Sequence, residues 1–123
     1  MQRRSVANNA PQSVQINCLK AIVSSAFSVR EWELIAPSRS RAPAAFARQV
    51  AMYLAHVAFG MPLGEVASSF GRDRSTAAHA CRLVEDRRED SALDYALDHL
   101  ETAARLWVGA TTSRVGVRNG SIG

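Results

Sequence analysis

Lysine is almost missing from this sequence: Lys20 is the only one, so the formal charge of +4 and the pI near 9.8 rest on arginine. Cysteine is nearly as scarce. Cys18 and Cys81 each sit inside an apolar periodic stretch with no leader peptide upstream, which excludes a disulfide framework and reads as two reduced core thiols in a cytosolic protein. No apolar run approaches the roughly 20 residues that span a bilayer, so no membrane partner is expected. Alternating strand patterns, an Asn-Gly hairpin between apolar runs, internal repeats and heptads are all lacking, which removes β, solenoid and zipper architectures. A glycine-rich loop ending in Gly-Lys-Ser or Gly-Lys-Thr is absent too, so no nucleotide is expected as cofactor.

The residues that often carry chemistry are not grouped for it. His79 and Cys81 are two apart while His56 and His99 stand alone, which is not zinc spacing. Ser75 and His79 share a helix face without a third orienting group, and Asp94 and Asp98 share one without desolvation. The chain is read as a non-enzyme with neither cofactor nor metal.

What is present is helical periodicity and one domain's worth of apolar residues, 47% of 123. Residues 1–12 and 109–123 read as disordered tails around a domain at 13–108. Ser13 is the expected N-cap of a first helix marked by Ile16, Leu19, Val23 and Phe27, and the short apolar turn EWELIA follows. Pro37 and Pro43 bracket an exposed basic loop, SRSRA, after which Phe46, Val50, Leu54 and Val57 mark a long helix to Phe59. Leu63, Val66, Ala67 and Phe70 predict a two-turn helix that ends at the reversal Gly71. Asp73 or Ser75 then caps a helix whose core face is Ala77, Cys81 and Val84. Leu93, Leu97, Leu100, Ala104 and Trp107 form a last amphipathic helix, with Trp107 expected in the core. The fold class is all-α, a compact helical bundle.

Two short helices joined through a glycine, with Ala67 where they must approach closely, have the layout of a helix-turn-helix. If Ala77, Cys81 and Val84 face inward, Arg74, Ser75, Ala78, His79 and Arg82 project outward, and Arg72 and Asp73 stand at the helix N-terminus. Such a face suits a DNA major groove: arginine for guanine, hydroxyls for several acceptors, a methyl for thymine. Arg39, Arg41 and Arg48 lie in or beside the basic loop with no acid among them, and together with Arg72, Arg74 and Arg82 they suit phosphates. Acidic residues instead crowd the last helices, Glu85 to Glu101. That surface is expected to face away from DNA, either simply solvated or offered to a partner such as RNA polymerase or a second regulator.

The stretches ARQVAMYLA (47–55) and LGEVASSFGRDRSTAAHACRLVE (63–85) resemble the C-terminal DNA-binding domain of the bacterial replication initiator DnaA. The likeness extends upstream through Ile16 to Ala36 and SRSRA, covering roughly Ile16 to Arg88. It implies that Asp73, Arg74, Ser75 and Thr76 supply major-groove and neighbouring phosphate contacts. Asp73, Arg74, Ser75, Ala78 and His79 are therefore assigned to bases, and Arg39, Arg41, Arg48, Arg72, Thr76 and Arg82 to phosphates. Arg74 stands where the family usually has histidine, which alters base preference; Phe46 stands where it usually has a minor-groove arginine. The initiator's nucleotide-binding module has no counterpart. A sequence-specific binder of double-stranded DNA is implied, cytoplasmic and nucleoid-associated. A transcriptional activator, such as those of gene-transfer-agent or prophage-like clusters, is favoured over a replication regulator or a protein-interaction module.

Overall fold

The structure is a computed structural model that describes residues 10–36 and 42–122, with side chains as far as Thr111. Six helices follow one another: α1 Gln12–Phe27, α2 Glu31–Ile35, α3 Ala42–Phe59, α4 Leu63–Ser69, α5 Arg74–Arg87 and α6 Ser91–Ile122. No strand occurs among the described residues.

The centre is α3. Ala44, Ala47, Val50, Ala51, Leu54, Ala55 and Ala58 are buried around most of its circumference, and their small side chains let neighbouring helices approach closely. It packs chiefly against α1 and α5, with α2, α4 and α6 completing the shell. Leu19 and Val23 of α1, Leu34 of α2, Phe70 after α4, Val84 of α5 and Leu97 of α6 are wholly buried in one continuous core.

Several ends differ from expectation. α1 starts before Ser13: Pro11 is its N-cap, and the Pro11 carbonyl accepts from the amides of Val14 and Gln15 at 3.0 and 3.1 Å. A proline at this point presets the helical entry and lacks only a donor the helix would not use, so no side-chain cap is required. Ala10 is already buried against the core. EWELI is a true helical turn, with the Glu33 carboxylate accepting from the Arg30 amide at 3.0 Å. Val57 is 39% exposed, because the buried stripe of α3 passes through Ala55 and Ala58 instead.

Trp107 is a correction: it is 51% exposed, and Val108 is buried in its place. The core stripe of α6 runs Leu93, Leu97, Leu100, Ala104, Val108, and a 3.6-residue period after Ala104 falls as well on a four-residue step as on a three-residue one. α6 also passes Gly109, where the sequence reading begins a tail; a single glycine weakens a helix without terminating it.

Candidate nucleic-acid interface

α4 and α5 meet through a tight bend built by local chemistry. Gly71 adopts φ +66°, a left-handed conformation that only glycine takes without strain. Its amide donates to the Ser68 carbonyl, and the Arg72 amide reaches back to Ala67 at 2.9 Å, so the end of α4 is closed by backbone. Of the two caps considered, Asp73 takes the position. Its Oδ1 accepts from the Thr76 amide and from Ser75 Oγ, both at 2.9 Å. These hydrogen bonds, the Thr76 amide foremost, hold the Asp73 carboxyl below its ordinary range.

α5 has two distinct faces. Ala77, Ala80 and Val84 are buried, and Cys81 is half-buried rather than fully inward. Arg74, Ser75, Thr76, His79 and Arg82 are exposed, and Ala78 is half-buried among them. The expected base-reading residues are thus brought to one side of the first two turns, beside the helix N-terminus. Both thiols are free, and burial pushes each above the usual cysteine value.

The arginines divide by environment. Arg74 and Arg82 reach solvent, whereas Arg72 Nη2 donates to the Ala36 carbonyl at 2.7 Å and pins the bend to the end of α2. Sequence spacing gives no sign of this tie, since the partners lie 36 residues apart. Arg48 on α3 is half-buried, and burial followed by repulsion from Arg72 depresses its guanidinium. Two like charges held together in this way favour an anion beside them. Arg39 and Arg41 lie outside the described residues. Phe46, where the resembled family carries arginine, packs edge-on against Phe27 with centroids 5.8 Å apart and carries the Arg87 guanidinium 4.6 Å above its ring.

The acidic side is tied down from within. Arg88, which the charge layout of the sequence sets with Arg87 and Arg105 against these acids, donates through Nε to Asp94 at 2.6 Å, through Nη2 to Asp98 and through Nη1 to the Tyr53 hydroxyl at 2.9 Å. Tyr53 in turn donates to Glu85 at 2.9 Å. Burial disfavours the Arg88 charge, but the hydrogen bonds it donates to Asp94, Tyr53 and Asp98 outweigh it and raise the guanidinium above its ordinary value. Arg105 pairs with Glu101 and also reaches the Ala58 carbonyl. Among the described residues, no cluster of His, Cys, Asp and Glu is arranged for a metal, and no helix is long and apolar enough to cross a membrane.

A helix buried along one face, exposed along the other and set against a shorter one across a tight bend is the construction of a helix-turn-helix domain. Residues 16–84 match the family described as bacterial dnaA protein helix-turn-helix, and the chain belongs to that family of DNA-binding domains. It is similar to the chromosomal replication initiator protein DnaA of Symbiobacterium thermophilum, 33% identical over 92 residues, which cover 73% of this chain and 20% of that protein. The corresponding protein of Mesorhizobium japonicum is 39% identical over 77 residues, 62% of this chain and 16% of the relative. A second DnaA of Chlamydia trachomatis is 34% identical over 82 residues, 67% and 18% respectively. The chain spans about a fifth of the length of these relatives.

Proposed function

We propose that this protein is a sequence-specific binder of double-stranded DNA that seats the first two turns of α5 in the major groove and acts as a transcriptional regulator, most simply an activator. The observation that carries this reading is the exposed, chemically mixed start of α5, where Arg74, Ser75, Ala78 and His79 share a face. Arg74 suits the guanine edge, His79 and Ser75 offer donors and acceptors, and Ala78 offers a methyl contact. Asp73 stands exposed at the start of the helix, where its carboxylate can accept from cytosine. Thr76, Arg82, Arg48 and Arg72, joined by Arg39 and Arg41, neutralise phosphates and set the register. The like charges at Arg48 and Arg72 support that role, because an approaching phosphate relieves their repulsion. No catalytic step is assigned to the chain.

The similarity to replication initiators favours a second reading in which the same interface occupies initiator-type boxes and thereby regulates replication. The two differ in the target site alone. Selection from a randomised duplex library separates them: recovery of an initiator-like box supports replication control, and another defined motif supports a dedicated transcription factor. Arg74→Ala is expected to weaken binding to the selected site by about 1 to 3 kcal/mol while sparing random DNA, and Arg39→Ala to weaken both alike. Absence of any enrichment would overturn base readout and turn attention to a protein partner on the acidic side.

A further inference from the structure

The direction of one hydrogen in the first turn of α5 limits what that turn recognises. Ser75 Oγ donates to Asp73 Oδ1 at 2.9 Å, alongside the Thr76 amide that caps the helix on the same oxygen. The Asp73 carboxyl is held below its ordinary range, so at neutral pH it has no proton to give and the shared one belongs to the serine. A hydroxyl carries one hydrogen and two lone pairs. With that hydrogen turned back to Asp73, the exposed Ser75 presents lone pairs alone.

We infer that Asp73 sets Ser75 as an acceptor-only reader of DNA, which selects an amino base, adenine or cytosine, over a keto base, guanine or thymine, on the strand it faces. The inference rests on the DNA-binding reading and narrows it, because a free serine hydroxyl meets donors and acceptors alike. In the major groove adenine N6 and cytosine N4 donate, whereas guanine O6 and thymine O4 accept. Opposite a keto base, Ser75 either leaves two acceptors facing each other or turns its hydrogen outward. The first strands polar groups in a closed interface. The second gives up a bond to a charged carboxylate, roughly twice as strong as one to a neutral oxygen.

The surroundings give this polarity its use. Ser75 shares its side of α5 with Ala78 and His79, three and four residues on, and directly follows the exposed Arg74. Arginine donates and never accepts, so consecutive residues of one turn offer opposite hydrogen-bonding character. Arg74 suits a guanine edge and Ser75 an amino group. Asp73 is therefore a positioning residue for Ser75 as well as the cap of α5: it acts through its neighbour's hydrogen.

Selection from a randomised duplex library by the parent, Ser75→Ala, Ser75→Thr and Asp73→Asn chains tests this, with circular dichroism to confirm that each is folded. The column of the selected site that loses its preference in Ser75→Ala is the one Ser75 reads. That column is expected to hold adenine or cytosine and to be kept by Ser75→Thr, which retains the hydroxyl. It should admit guanine and thymine in Asp73→Asn, whose neutral amide no longer fixes the hydrogen. Removing only the major-groove amino group in that column, by 2-aminopurine for adenine or pyrimidin-2-one for cytosine, should weaken the parent about tenfold and Ser75→Ala by no more than about twofold. A column of guanine or thymine, a column untouched by Asp73→Asn, no column that answers to Ser75→Ala, or equal losses by parent and Ser75→Ala on the analogue would each overturn the proposal and leave DNA recognition standing. No enrichment by the parent would overturn DNA recognition itself, and the proposal with it.

Discussion

Asp73 shows how one side chain serves fold and interface together. Its Oδ1 is occupied by the Thr76 amide and Ser75 hydroxyl, and those bonds depress its pKa. A carboxyl whose folded pKa lies below its unfolded one adds stability that is present above the ordinary value, about 3.9, and is lost as pH falls through the folded value. Asp73→Ala is therefore expected to lower the thermal midpoint at neutral pH and to flatten its fall in acid. Asp73→Asn, still a good cap, should stay near the parent at neutral pH and also lose the acid dependence. Melting curves at several pH values check both; an alanine variant that melts like the parent would show the cap to be idle. The sequence narrows the cap to Asp73 or Ser75, both suitable types, and only the backbone path out of Gly71 decides between them. The tie from Arg72 to Ala36 is a different case, because nothing local announces a bond to a carbonyl in another helix.

Helix ends and the joints between helices decide how these elements are held. Ser28, at the end of α1, stands at φ 55° and Gly71, after α4, at φ +66°, so one conformation is met by a residue that strains in it and by one that does not. The Val29 amide donates to Ser24 at 3.0 Å and Val29 is buried, the closure that glycine normally serves. Ser28→Gly should stabilise by about 0.5 to 1 kcal/mol, and Gly71→Ala should destabilise by about 1 to 2, since a Cβ at Gly71 meets no neighbour and the cost is conformational alone. Urea unfolding checks the opposite signs. At the α5–α6 joint, Arg88 ties Tyr53 of α3 to Asp94 and Asp98 of α6 while its side chain is only 14% exposed. Arg88→Ala leaves two acids facing each other without their counter-charge and should cost about 2 kcal/mol; Tyr53→Phe should cost about 1. If both variants unfold at the parent's urea midpoint, the network is ornamental. Periodicity alone locates α1, α3, α4, α5 and α6, and the charge layout sets Arg88 against the acids of the last helices, but its bond to Tyr53 is not legible because those partners converge only after folding. The same periodicity mistakes Trp107 for Val108, since neighbouring positions on a helix flank satisfy the spacing about equally.

At the scale of the molecule, the arginines of the basic loop, α3, the bend and α5 stand apart from the acids that crowd Glu85 to Glu101, and the two groups differ in how far they are paired. Asp94, Asp98 and Glu101 are matched internally by Arg88 and Arg105, which leaves the acidic side with little outward pull. Arg74 and Arg82 are exposed on α5, open to an approaching phosphate. That imbalance was readable as a distribution of arginines in the sequence; its intensity was not, because it depends on Arg88 neutralising the far side. A DNA complex should accordingly be strongly salt-dependent. With about four to six phosphates neutralised by Arg39, Arg41, Arg48, Arg72, Arg74 and Arg82, log K should fall against log salt with a slope of about −4 to −5. Arg48→Ala should reduce that slope by about 1 on specific and random duplexes alike, the mark of a phosphate contact. Glu89→Gln, past the C-terminal end of α5, should leave the slope where it was. Titrations by fluorescence anisotropy over a series of salt concentrations give all three slopes. A shallow slope of about −1 to −2 would mean that most of these arginines never meet a phosphate, and the binding mode would then have to rest on the α5 face alone.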